Sequence, residues 1–111
     1  MTRRVCNWLP LGQRLLVSAW LVVTSPAFAD MALAQKNACV GCHAIDAKVY
    51  GPSFKAVAER YKTTKDAQLN LASKIRSGSK GAWGEAPMPP MPQLSETDAA
   101  KLAGWILGGA K

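Results

Sequence analysis

With 111 residues the chain holds one domain at most, and fourteen Lys and Arg against seven Asp and Glu give it a formal charge of +7. No aromatic-interleaved basic patch and no nucleic-acid-binding motif accompanies that charge, so nucleic acid is not an expected partner. A mild positive face towards an acidic protein is the better expectation.

Residues 1–29 read as a secretory signal peptide. Arg3, Arg4 and Arg14 form its positive region, residues 15–23 its apolar run, and Ala27-Phe28-Ala29 a small-x-small cleavage site. The uncharged stretch up to Ala29 is shorter than the about 18–20 residues a membrane anchor needs, and Pro26 breaks it. No stable membrane insertion is therefore expected after cleavage. Cys6 precedes the apolar run, which does not suit lipoprotein acylation, and is expected to leave with the leader. The remaining domain, 30–111, has 82 residues, with eleven basic and seven acidic side chains and a charge of +4. At that size an apolar core alone is marginal.

Asp30 and the following residues to Asn37 predict a short helix with Asp30 as N-cap. It runs into Cys39-Val40-Gly41-Cys42-His43, and C-x-x-C-H is the attachment signature of a c-type haem. Two thiols three residues apart can add to the two vinyl groups of one macrocycle. The adjoining His43 then lies close enough to ligate the iron from one face. A second ligand must come from elsewhere, and its identity largely decides what the haem does. A covalently bound apolar ring would also complete a core that 82 residues fill poorly.

Residues 44–50 show no clear period and read as a loop. Gly51-Pro52 is a turn signal, with the proline well placed for the first turn of the next segment. Phe54, Val57, Ala58 and Tyr61 recur at helical spacing and predict a helix over 53–61, followed by a polar break at 62–65. Asp66 starts a third helix, with Leu69, Leu71, Ala72 and Ile75 towards a core and Gly78 near its end. From 77 to 93 the composition changes: Pro87, Pro89, Pro90 and Pro92 exclude regular helix or sheet and predict an extended stretch close to polyproline II. Ser95 caps the last helix, with Asp98 in place of the usual Glu. Leu102, Trp105 and Ile106 give that helix its buried stripe, and Gly108-Gly109 ends it. No segment alternates as a strand does, so the expected fold is all-α without internal repeats.

His43 is the only histidine in the chain, so the second iron ligand must come from Met31, Met88, Met91 or a lysine. A single methionine is usually core filler. Met88 and Met91, however, sit in a proline-stiffened loop with little helical core to fill. Prolines on both sides of Met88 would hold a thioether with little conformational freedom left to lose. A His/Met pair gives six-coordinate, low-spin iron with a raised reduction potential and no open position for oxygen or peroxide. That is the state of a one-electron carrier; a haem enzyme or gas sensor would need an open sixth position. A redox dithiol at Cys39 and Cys42 would need a βαβ context that the chain lacks. A zinc site would lack a fourth nitrogen or sulfur ligand. Trp83, set beside glycines, calls for a polar partner for its indole N–H.

C-x-x-C-H at 39–43, Gly51-Pro52, Trp83-Gly84 and Pro87-Met88-Pro89-Pro90 together resemble class I monohaem cytochrome c. The similarity is to the short bacterial c-551/c-552 (c8) type and extends over essentially all of 30–111. It implies about four helices wrapped around one covalently attached haem c. Cys39 and Cys42 would carry the thioethers, with His43 as proximal and Met88 as distal iron ligand. The Pro52 carbonyl would accept a hydrogen bond from the other ring nitrogen of His43 and fix its tautomer. The Trp83 indole would donate to a haem propionate, and the terminal helices would cross with Leu33 and Ala34 against Trp105. The resemblance further implies a soluble, monomeric electron carrier of the periplasm, working in a respiratory chain. Its donor would be a membrane cytochrome complex and its acceptor a terminal reductase or oxidase, such as nitrite reductase or cytochrome oxidase.

Four positions depart from the family pattern. Met91 stands where an asparagine commonly hydrogen-bonds the ligand sulfur, and it brings a competing thioether; Met88 remains the expected ligand. Lys74 stands where an Arg or His often lies near a propionate, and it could still pair as a point charge. Glu85 and Ala86 replace apolar residues beside the exposed haem edge. Lys36, Lys48, Lys55 and Lys80 are expected as solvated surface.

Overall fold

The computed structural model describes residues 26–111. The expected leader, with Cys6, therefore lies outside the described residues except for its last four positions. In chain order the elements are α1 (Pro26–Lys36), a 3-10 turn (Cys39–Gly41), α2 (Phe54–Tyr61), α3 (Ala67–Ser77), β1 (Ser79–Gly81), β2 (Gly84–Met88) and α4 (Glu96–Leu107).

Two helices start on serine caps. The Ser53 hydroxyl accepts the Ala56 N–H at 3.1 Å ahead of α2, and the Ser95 hydroxyl accepts the Asp98 N–H at 3.0 Å ahead of α4. Each satisfies an amide that the first helical turn leaves without a partner. At the other end of α3, Gly78 takes φ 76°, a left-handed conformation that lets the chain turn out of the helix.

The fold is assembled on α4, which packs against α1, α2 and α3. Its buried face carries Ala99, Leu102, Ala103, Trp105 and Ile106. Ala34 from α1, Phe54, Val57 and Tyr61 from α2, and Leu71, Ala72 and Ile75 from α3 complete the same cluster. Ala34, Ala99 and Ala103 are wholly shut off from solvent, and such small side chains allow helices to approach closely.

Three expectations need correction. First, in the uncleaved chain α1 begins at Pro26, so Asp30 lies inside the helix there and does not cap it. Proline is well tolerated in a first turn, and Ala27 and Ala29 favour helix, so nothing in the sequence obliges the helix to wait for Asp30. Second, Leu69 is 70% exposed, while Leu71, Ala72 and Ile75 are buried. One helix face cannot turn all four residues inward, and the buried set follows the contact with α4.

Third, part of the proline-rich stretch is paired. β1 and β2 form a two-stranded antiparallel ribbon, matching Ser79 with Met88 and Gly81 with Gly84, with an irregularity between. Gly81 and Gly84 at φ 77° and 106° allow the chain to reverse around Ala82-Trp83. Pro87 fits because both strands of a two-stranded ribbon are edges, where a missing N–H is tolerated. Alternating hydrophobicity did not mark these strands because most of their residues are exposed.

Candidate haem site

The C-x-x-C-H segment is wound into a tight turn. Ala38 takes φ 59°, and the amides of Gly41, Cys42 and His43 fold back onto the carbonyls of Ala38, Cys39 and Cys39 at 3.0–3.1 Å. That winding sets the spacing of the two free thiols, both half-buried. Burial pushes the Cys39 thiol up from its ordinary pKa; a backbone hydrogen bond opposes this and the neighbouring Cys42 adds to it.

The following loop is tied back to the turn. The Gly51 N–H donates to the Cys42 carbonyl at 2.8 Å, and the Phe54 and Lys55 amides reach Ala44 and Ile45. Pro52 is thereby brought to His43, whose Nδ1 lies 2.7 Å from the Pro52 carbonyl oxygen. A carbonyl can only accept, so Nδ1 carries the proton and Nε2 is left with a free lone pair. Two further contacts hold the imidazole plane. Phe54 stacks on it at 5.4 Å between centroids and 22° between planes, and is itself met edge-on by Trp105 at 5.2 Å. On another side, a Cβ at Gly51 would sit 2.5 Å from the ring, so only glycine leaves room for this imidazole.

Cys39, Cys42 and His43 open into a largely apolar cleft of about 990 Å³, part of it continuous with solvent. Phe54, Val57, Tyr61, Leu71 and Ile75 contribute helical residues to it, and the ribbon and following loop bring Trp83, Ala86, Pro87, Met88 and Pro89. Pro52 and Lys74 also line it. All seven residues singled out from the sequence therefore meet at one cleft. Met91 does not line it; this residue packs half-buried against the core, and its N–H donates to the Arg76 carbonyl at 2.9 Å. Ala34 and Trp105 reach the cleft from α1 and α4, so the contact between the terminal helices closes it from behind.

Two arginines around the site escaped the sequence reading. The Arg60 guanidinium lies over the Trp83 ring, 4.4 Å from its centroid, and also donates to the Ala82 carbonyl. Arg76 bridges α3 to the start of α4. Arginines eighteen or more residues from their partners give no local signal; only the fold brings them together. Lys55, expected as simple solvated surface, is exposed but paired with Asp46.

The family profile described as Cytochrome c matches residues 31–110. The chain belongs to the cytochrome c family. It is 48% identical over 87 residues to cytochrome c-552 of Nitrosomonas europaea, covering 78% of this chain and 84% of that protein. Cytochrome c-551 of Allochromatium vinosum is 41% identical, covering 79% of this chain and 94% of its own length. The crystal structure of wild-type Nitrosomonas europaea cytochrome c552 matches with a TM-score of 0.69 at 47% identity, over 70% of this chain and 96% of that one. The fold is thus that of class I cytochrome c, all-α but for the ribbon. As a cytochrome c it carries one covalently attached c-type haem and transfers electrons rather than catalysing a reaction. The site fits that group: an apolar cleft with two thiols, one tautomer-fixed imidazole and one thioether on its walls suits a flat macrocycle with an iron centre.

Proposed function

We propose that the cytochrome is a periplasmic one-electron carrier whose haem is joined to Cys39 and Cys42 and ligated by His43 and Met88. The observation carrying this reading is that His43 and Met88 line the same cleft while Met91 packs outside it. The Nδ1 contact with Pro52 leaves the Nε2 lone pair for iron. His43 and Met88 would fill both coordination positions of a haem held here, and the group would then supply one-electron transfer at a raised potential. Trp83 and Lys74, both on the cleft wall, are the candidates for the propionates: the indole N–H as a neutral donor and the ammonium as a point charge.

Export follows from the leader read over residues 1–29, and no helix among the described residues is long and apolar enough to cross a membrane. The charge of +4 over 30–111 suits an acidic redox partner. A membrane cytochrome complex as donor and a terminal reductase or oxidase, nitrite reductase among them, as acceptor match that role.

The absorbance spectrum of the oxidised protein tests the ligand set. A weak sulfur-to-iron band at the red end of the visible is expected, lost in Met88→Ala and kept in Met91→Ala. A high-spin spectrum, or a reduced spectrum that shifts with carbon monoxide, would show an open sixth position and overturn the carrier reading.

A further inference from the structure

The loop that carries Met88 is tied down by the C-terminal end of α3. Arg76 Nε donates to the Leu94 carbonyl at 3.0 Å, and Nη1 to Glu96 Oε1 at 3.1 Å. The Arg76 carbonyl accepts the Met91 N–H at 2.9 Å, and the Leu94 N–H closes on the Met91 carbonyl at 3.1 Å. Two residues on, Gly78 lies directly against the other end of the loop: a Cβ there would come within 2.6 Å of the Met88 carbonyl oxygen and 2.8 Å of the Pro90 nitrogen. The Met88–Leu94 segment is thus held at its first half by close packing on Gly78 and at its second half by Arg76.

The composition of the loop makes these ties matter. Pro89, Pro90 and Pro92 have no N–H to donate, so the segment has few backbone donors. One of those few, from Met91, ends on Arg76. The contacts of the Arg76 side chain differ in weight. Glu96 is 88% exposed, and an ion pair there adds little. Leu94 is buried, so its carbonyl loses more if a charged donor is withdrawn.

We propose that Arg76 is a positioning residue for Met88, setting how often the loop swings away and frees the sixth iron position. This rests on Met88 being the distal ligand. On this proposal the Arg76–Leu94 bond opposes that opening, so the charged strut on α3 acts on the occupancy of a thioether it does not touch.

Imidazole titration of the ferric holoprotein reads that opening directly. Imidazole takes the iron position only when the thioether leaves, so its apparent affinity scales with the open population. Arg76→Met keeps the apolar stem and removes the donors; it is expected to tighten apparent imidazole binding about tenfold, the scale of one lost charge-assisted hydrogen bond. Glu96→Gln should change it by less than about twofold, because that pair is solvated. Arg76→Lys, which keeps stem and charge but lacks the fork, should fall between, and it carries the same comparison if Arg76→Met does not take up haem. A lowered urea midpoint with unmoved imidazole affinity would make Arg76 a packing residue only and overturn the proposal. Met88→Ala separates the two readings: loss of the sulfur-to-iron band with unmoved affinity in the Arg76 variants defeats this proposal alone. Retention of the band in Met88→Ala defeats the ligand assignment, and this proposal with it.

Discussion

At Gly51 the backbone runs so near the imidazole that a side chain has no room, and a cost of substitution follows. A methyl at that position would lie 2.5 Å from His43 Cε1 and 2.8 Å from Nδ1, well inside contact distance. The ring cannot yield easily, being stacked on Phe54 and held at Pro52. Gly51→Ala should therefore destabilise the holoprotein by about 1–3 kcal/mol, the range for overpacking a filled site. The readout is a lower urea midpoint at unchanged slope. An unchanged midpoint would mean that the ring relocates freely. The sequence marked Gly51-Pro52 as a turn, but not that the glycine is needed for the histidine's sake. Leu69 makes the converse point: a leucine in a helix with helical spacing to other leucines is still exposed when no element lies over it.

Among the elements, the helices were the most legible. Ser53 and Ser95 sit where caps are useful, and both hydroxyls accept the expected amide. Ser95→Ala should cost about 1 kcal/mol, read from the urea transition of the holoprotein. The effect matters more here than at an isolated helix, because α4 is the element on which α1, α2 and α3 pack. The ribbon was not legible. Its strands lack buried alternating side chains, and its turn depends on two glycines with positive φ around Ala82-Trp83. Prolines that argue against a strand within a sheet do not argue against one at an edge. Beyond Met88 the chain leaves the ribbon, and a turn follows at Pro92-Gln93 ahead of α4.

At the scale of the whole molecule, the charge of the domain should govern its encounters. Eleven basic against seven acidic residues leave +4 over 30–111, about half of it offset by ionised haem propionates. Reduction or oxidation by an acidic protein partner should therefore slow as ionic strength rises from about 0.01 M to 0.15 M, where screening shortens from roughly 30 Å to 8 Å. Stopped-flow rates across that range test it. A rate that stays flat would show that charge does not steer the docking. Pairing of Lys55 with Asp46 takes one lysine partly out of that field, which net charge alone does not reveal.

The sequence by itself determined the haem attachment motif, the presence of one candidate histidine, and a rigid loop with two candidate thioethers. These are short-range features: residue identity, spacing of three and one, and the conformational stiffness of proline. It also determined the helices, because amphipathic period and capping act within a few residues. Only the tertiary structure decided that Met88 faces the cleft while Met91 packs outside it. They lie three positions apart on a segment that α3 meets through Gly78 at one end and Arg76 at the other. Those contacts join segments distant in sequence, so no local pattern records them.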